Sequence, residues 1–200
     1  MRGRAASRRR GLGCAAAALL ALGACAPTTS DVPGLMAEAR RAEVAGHHTD
    51  ALRSLRRAEA LAPEDPDVAL LLGVVALRAE RPREADAALA RAVQLAPHDP
   101  RPLAARGLAL RALHRYDEAE SALLRSLMLR PADPATLAAL GETYRLWGKP
   151  EKCATRYEQY LWQMEHEPAE PRDAGRERAL ADARRQLEAC EADAARLRAP

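Results

Sequence analysis

The sequence predicts an all-α fold, a right-handed α-solenoid of about four helix–turn–helix repeats followed by a C-terminal helix. The main evidence is a series of aspartates spaced 34 residues apart, namely Asp31, Asp65, Asp99 and Asp133. A fixed period of this length indicates one helical hairpin copied in tandem. The last three aspartates are each followed by proline. Because Asp caps a helix N-terminus and Pro suits the first helical position, we expect each pair to begin the first helix of a repeat.

Small and large residues recur in the same register. A small residue in the middle of a helix lets a second helix approach closely, and a bulky residue one turn later fills the adjacent gap. Two small series and one large series keep the period: Ala39, Gly73, Gly107 and Gly141; Ala51, Ala85, Ala119 and Cys153; and Leu55, Leu89, Leu123 and Tyr157.

These columns resemble the tetratricopeptide repeat (TPR), whose pattern also places small residues and a closing proline at fixed positions. The clearest copy has Gly73, Ala85, Ala92 and Pro97 in those columns. The resemblance covers residues 32–167. It implies four repeats, with the bounds 32–65, 66–99, 100–133 and 134–167.

Residues 1–24 predict a lipoprotein signal peptide. Five arginines precede an apolar stretch, Leu12 to Ala24, that is too short to span a bilayer. The stretch ends in Leu22-Gly23-Ala24-Cys25, which resembles the bacterial lipobox and implies that Cys25 is lipidated, for example with palmitate. Residues 25–31 would then be a short tether. An ordinary cleaved signal and a twin-arginine signal are the alternatives.

Lipidation would hold the domain against a membrane without a spanning helix. In the lipoproteins that this leader resembles, Asp directly after the cysteine marks retention at the inner membrane. This chain has Ala26 there. The expected location is therefore the cell envelope, at the outer membrane and facing the periplasm.

Loss of the leader changes the charge balance. The chain has 31 basic and 28 acidic residues, and five of the arginines belong to the leader, so the mature chain has 31 − 5 = 26 basic residues and a net charge of about −2. Aromatic residues make up 3% of the chain. Since nucleic-acid binding needs basic patches and benefits from stacking aromatics, we expect no nucleic-acid partner.

Residues 168–200 are predicted to form a capping helix after an acidic, proline-bearing break. Apolar residues follow one another there at alternating spacings of three and four. The stripe fits a cap on the last repeat, or a helix that pairs with a partner or a second copy as a short coiled coil. Its members are Leu180, Ala183, Leu187, Cys190, Ala194 and Leu197.

Two cysteines remain in the mature chain besides Cys25. In an oxidising compartment, a bridge between Cys153 and Cys190 would lock the cap onto the last repeat. The alternatives are two buried thiols that never meet, or a Cys190 bond between two chains.

Trp147 and Trp162 flank the second helix of the last repeat. We expect them to pack under the cap, with a hot spot for a partner as the alternative.

The chain offers little for catalysis. Its histidines lie at positions of the repeat that form turns. None of them has a second metal-ligating residue at the spacing of a metal site. No phosphate-binding loop or nucleophile motif is present in the sequence. We therefore expect no enzymatic activity, no cofactor, no metal and no small-molecule substrate.

The resemblance to TPR proteins implies a concave groove lined by the first helix of each repeat. Such a surface suits an amphipathic helix or an extended peptide with acidic residues. The alternative is a solvated groove, or one filled in part by the chain itself. Carried over column by column, the groove has an apolar floor (Leu70, Val74, Leu77, Leu108) flanked by basic residues (Arg40, Arg101, Arg111, Arg145).

These features predict a lipid-anchored scaffold that binds another protein or peptide of the cell envelope. The combination resembles the small outer-membrane lipoproteins that assist type IV pilus secretin assembly. An adaptor in cell-wall or outer-membrane-protein assembly is the alternative.

Overall fold

A computed structural model describes residues 31–166 and 174–199. In these two ranges the chain is helical, and the first eight helices pair into four hairpins, which confirms the predicted all-α solenoid. The predicted signal peptide and Cys25 lie outside the described residues. The helices are α1 (Val32–Val44), α2 (His48–Leu61), α3 (Pro66–Arg78), α4 (Pro82–Leu95), α5 (Pro100–Ala112), α6 (Tyr116–Leu129), α7 (Pro134–Leu146), α8 (Pro150–His166) and α9 (Ala174–Arg198).

Three aspartates of the 34-residue series cap the first helices of their repeats. Asp65 accepts a hydrogen bond from the backbone N–H of Asp67 at 2.9 Å, and Asp99 accepts one from Arg101 at the same distance. Asp133 accepts one from Thr136 at 2.9 Å. Each bond satisfies a backbone donor that a helix N-terminus leaves without an intrahelical partner.

The turn inside each hairpin also repeats. Gly46, Glu80, His114 and Gly148 stand 34 residues apart, and all four have a left-handed φ between 56° and 77°. In each turn the following residue donates its N–H to a carbonyl five residues back, as Arg115 does to Leu110 at 2.9 Å. This is the Schellman pattern, and it needs a left-handed residue at that position. His114 therefore has a conformational role in its turn.

The predicted small and large residues meet inside the hairpins. A Cβ atom added to Gly107 would lie 2.5 Å from Leu123 Cγ, and one added to Gly141 would lie 2.7 Å from Tyr157 Cε2. Gly73 faces Leu89 in the same way. The helices of the last three hairpins therefore pack closer than any side chain larger than glycine allows at these positions.

The last helix, α9, runs antiparallel to α8 and packs along it. Arg198 at its end donates to Glu151 at 2.9 Å, near the beginning of α8. Ala183, Cys190 and Ala194 are buried against α8. Within the described ranges, no helix has the length and apolar character needed to cross a bilayer.

A disulfide joins Cys153 on α8 to Cys190 on α9, with the two Cα atoms 5.9 Å apart. Both residues are at most 1% exposed.

The apolar stripe predicted for α9 does not hold at its last member, because Leu197 is 73% exposed. α8 begins at Pro150, and Leu197 lies beside that first turn, so no further turn of α8 is there to cover it.

Candidate protein-binding groove

The first helices of the repeats form one layer. α3 contacts α5, and α5 contacts α7, while the second helices pack behind them. On α3, Leu70, Val74 and Leu77 follow at spacings of four and three, which places them on one face of the helix. All three are half-buried, as is Leu108 on α5. These are the four residues for which the sequence predicts an apolar groove floor.

Arg101 is already engaged with carboxylates of the chain. Its Nε donates to Asp99 Oδ2 at 2.9 Å, and its Nη2 donates to Asp67 Oδ1 at 3.2 Å. The hydrogen bond from Arg101 holds the pKa of the Asp99 carboxyl below its ordinary value. Since Asp67 lies on α3 and Arg101 on α5, this pair ties neighbouring repeats together at the groove.

Arg145 is engaged in the same way. Its Nε and Nη2 donate to the two carboxylate oxygens of Glu142 at 2.8 and 2.7 Å. This bidentate contact lowers the pKa of Glu142 and raises that of Arg145. A partner carboxylate that bound Arg145 would therefore compete with Glu142.

Arg40 and Arg111 are the groove arginines that form no ion pair within the described ranges. Arg40 is exposed on α1, and Arg111 is half-buried on α5. The positive charge of Arg111 lowers the pKa of Glu142 without a direct contact. The cationic character of the groove is thus concentrated on two of the four predicted arginines.

The last helix extends this surface, which the sequence reasoning missed. Arg145, Asp193, Arg196 and Leu197 line a cleft of about 350 Å³ between α7, the start of α8 and α9. Asp193 is close enough to Arg145 to raise the pKa of its guanidinium. The sequence does indicate that Asp193 lies near α8. Asp193 follows Cys190 by three residues and so flanks the apolar stripe of α9 that faces α8.

A buried polar contact joins the last two repeats behind the groove. The hydroxyl of Tyr144 donates to Glu120 Oε1 at 2.6 Å, and Lys152 Nζ lies 2.8 Å from the same oxygen. Burial, together with the hydrogen bond to Glu120, raises the pKa of Tyr144 to about 12. The contact links α6, α7 and α8, and its role is structural.

The prediction that both tryptophans pack under the cap is wrong for Trp162. Its side chain is 60% exposed and stacks on His166 of the same helix, with ring centroids 4.7 Å apart. Trp162 follows Tyr157, which is buried toward α7, by five residues, or about 140° around the helix. Trp147 stacks instead on Tyr116 of α6, with centroids 6.2 Å apart, and Lys149 Nζ lies 3.1 Å from its ring centroid.

Two of the five histidines take part in local contacts through their rings. His114 Nδ1 is hydrogen-bonded to the Tyr116 hydroxyl at 2.7 Å, and His166 Nδ1 to the carbonyl of Trp162 at 2.8 Å. In this part of the chain, no group of three or more His, Cys, Asp or Glu residues is placed to hold a metal ion.

Comparison with known proteins identifies the repeat. Residues 45–109 match the family model described as tetratricopeptide repeat. This stretch, about a third of the chain, is therefore similar to the tetratricopeptide repeat. No curated protein matches the sequence. The similarity of the TPR stack to solved structures is therefore the remaining source of comparison.

Solved TPR structures share this fold at low sequence identity. MamA superposes with a TM-score of 0.62 at 20% identity, over 68% of this chain and 79% of MamA. YrrB, described as a TPR protein with an unusual peptide-binding site, gives 0.61 at 22% identity, over 70% and 72% of the two chains. The first TPR of Spaghetti (RPAP3), bound to an HSP90 peptide, gives 0.57 at 18% identity, over 60% and 94%. At these identities the likeness establishes the fold.

Proposed function

We propose that this protein is a non-enzymatic scaffold that binds another protein of the cell envelope in its concave groove. The observation that carries the proposal is the strip formed by Leu70, Val74, Leu77 and Leu108, whose side chains are only partly buried and lie on the first-helix layer. Exposed apolar strips between charged residues are typical of peptide-binding grooves. The peptide-bound TPR of Spaghetti (RPAP3) has this fold, which supports a peptide or protein ligand.

The charges of the groove select the partner. Arg40 and Arg111 are available to carboxylates, whereas Arg101 and Arg145 are held by Asp67, Asp99 and Glu142. The partner segment we propose therefore combines apolar side chains with a small number of acidic residues. A strongly acidic segment would bind little more tightly than a weakly acidic one, because two of the arginines already have partners.

The test is a double variant, Arg40→Gln with Arg111→Gln, which removes charge without breaking an ion pair of the fold. A photo-crosslinking residue at Val74 in cells would first identify the bound protein. We expect the double variant to weaken its binding about tenfold or more, since truncated interface charges commonly cost more than 1 kcal/mol each. The matched control is Arg57→Gln with Arg125→Gln, two exposed arginines on second helices. Equal loss in both variants, or in neither, would refute the groove.

We further propose that the scaffold is anchored through a lipid on Cys25 at the outer membrane, facing the periplasm. The lipobox-like sequence before Cys25 supports this, and the buried disulfide between Cys153 and Cys190 is typical of proteins in oxidising compartments. Labelling cells with palmitate should mark the wild-type protein and leave Cys25→Ser unmarked. Label on both proteins, or on neither, would refute the anchor.

A role in assembling type IV pilus secretins is the narrower proposal. It rests on the combination of a lipoprotein leader with four TPR repeats. The genes adjacent to this one distinguish the two roles. Pilus genes would favour secretin assembly, and cell-wall or porin-assembly genes would favour the alternative adaptor role. Hydrolysis of generic substrates by the purified protein would contradict a scaffold in either pathway.

A further inference from the structure

A second apolar cleft lies on the opposite side of the solenoid from the groove, between the second helices α6 and α8. It has a volume of about 400 Å³. Leu127 of α6 and Leu137 of α7 line it, together with Pro131 of the intervening turn. Trp162 lines it from α8 and is 60% exposed. The repeat architecture alone does not produce this cleft, since the corresponding column in the other repeats has Ala60, Gln94 and Met128.

The indole of Trp162 is held in place before any partner binds. His166 stacks on it at 4.7 Å between ring centroids, and His166 Nδ1 is hydrogen-bonded to the Trp162 carbonyl at 2.8 Å. A side chain that is already ordered loses little conformational entropy on binding. Large exposed aromatic residues beside an apolar pocket are the residues that most often dominate binding energy at protein interfaces.

Among the described residues that line the cleft, Arg156 is the charged one. No carboxylate is among the described residues that line it, and Arg156 lines it while donating to Gln159 Oε1 at 2.8 Å. Arg156 forms no ion pair in the described part of the chain. Arg130, which precedes the lining residue Pro131, is 67% exposed and pairs with Asp133, with its Nε 3.5 Å from Asp133 Oδ1. The lining therefore favours an apolar group that carries a carboxylate close by.

We propose that this outer cleft is a second protein-docking site, which takes a large apolar side chain of an acidic amphipathic segment on a partner protein. The apolar anchor packs between Trp162 and Leu127, on a floor formed by Leu137. A carboxylate of the same segment pairs with Arg156. With the groove on one side and this cleft on the other, the scaffold holds two partners at once.

Fluorescence of the purified full chain tests the proposal, because the sequence has only two tryptophans. In a Trp147→Phe background, Trp162 is the sole emitter. The probe is a synthetic helical peptide of about 15 residues with leucines on one face and flanking glutamates, and the matched probe has lysines in place of the glutamates. We expect a saturable blue shift with the glutamate peptide and binding about tenfold weaker with the lysine peptide.

Variants then locate the site, with binding read from the anisotropy of a labelled glutamate peptide. Trp162→Ala should weaken binding about thirtyfold, which corresponds to a hot spot of about 2 kcal/mol. Arg156→Gln should weaken it about fivefold, whereas Arg125→Gln on the neighbouring face and the groove variant Arg40→Gln with Arg111→Gln should leave it unchanged. That last variant separates failure of this cleft from failure of the groove.

Five results would overturn the proposal. Three concern binding: equal binding of the two peptides, no effect of Trp162→Ala, or loss of binding in the groove variant. The other two are a blue shift that appears only with phospholipid vesicles and one that appears only with rising protein concentration. The vesicle result would assign Trp162 to a membrane surface. The concentration dependence would assign it to a contact between two copies of this chain.

Discussion

Gly107 on α5 and Leu123 on α6 are packed so tightly that a Cβ atom on Gly107 would lie 2.5 Å from Leu123 Cγ. Cγ is the branch point of the leucine side chain, and Leu123 is fully buried, so the clash cannot be relieved by a small rotation. The close approach of the two helices in this hairpin therefore depends on glycine at this position.

Gly107→Ala should destabilise the protein by about 1–2 kcal/mol. Overpacking costs about 1–3 kcal/mol, and the better helix propensity of alanine returns up to about 1 kcal/mol. Gly34→Ala is the matched control, since no atom lies within 4 Å of a Cβ at Gly34. In urea unfolding, Gly34→Ala should have the same free energy of unfolding as the wild type or a slightly higher one. Equal effects of the two substitutions would contradict the packing argument.

Removal of the disulfide should loosen the cap. The bridge joins residues 37 positions apart, and bridges of this kind commonly contribute about 2–4 kcal/mol. In protein lacking the leader, Cys153→Ala with Cys190→Ala should lower stability by this amount. Hydrogen exchange should then accelerate first in α9, which buries little besides small side chains. Reductant should destabilise the wild type to the level of the double variant and leave that variant unchanged.

Tyr144→Phe should cost about 1.5–3 kcal/mol near neutral pH, because it removes a buried hydrogen bond to a carboxylate. Folding raises the pKa of Tyr144 from 10.0 to about 12, since burial and Glu120 disfavour the phenolate. The folded state therefore favours the neutral phenol. Its stabilising effect is complete below pH 10 and is lost as the pH rises toward 12.

Urea unfolding at several pH values would measure this effect. The stability difference between wild type and Tyr144→Phe should be constant from about pH 6 to pH 10 and shrink above it. It should also shrink in acid as Glu120 is protonated, because, despite burial, the hydrogen bonds from Lys152 and Tyr144 lower the pKa of Glu120. Tyr157 and Tyr160 also have raised pKa values, but they are present in both proteins and cancel in the difference. A difference that did not change with pH would contradict the buried contact.

Asp99→Ala should destabilise the protein by about 1 kcal/mol at neutral pH, the usual cost of a lost N-cap. The hydrogen bond from Arg101 lowers the pKa of Asp99, so folding favours the carboxylate. That contribution is present above the ordinary pKa of 3.8 and is lost as the pH falls through the lower folded value. Thermal unfolding should thus show a difference that narrows below about pH 4. Glu191→Ala, at an exposed position of α9, should show no such difference.

The repeat architecture was predictable from the sequence because local features that recur with a fixed period determine it. A 34-residue column of Asp followed by Pro encodes a helix start, and the small columns encode close helix pairs. The structure places Asp65, Asp99 and Asp133 at N-caps and Gly107 against Leu123, as these columns predict. The apolar floor of the groove stays a prediction, and its four residues come from the second and third repeats.

The tertiary structure decided which of those residues are available. The sequence assigns all four arginines to the groove. In the folded chain Arg145 pairs with Glu142 of its own helix, and Arg101 pairs with Asp99 and also with Asp67 of the neighbouring repeat. Likewise, only the path of α9 across α8 determines that Cys190 meets Cys153 while Trp162 and Leu197 stay exposed. The physical reason is that periodicity sets each helix and its buried face, whereas the contact of Arg101 with Asp67 and the contact of α9 with α8 join residues that lie far apart in the sequence.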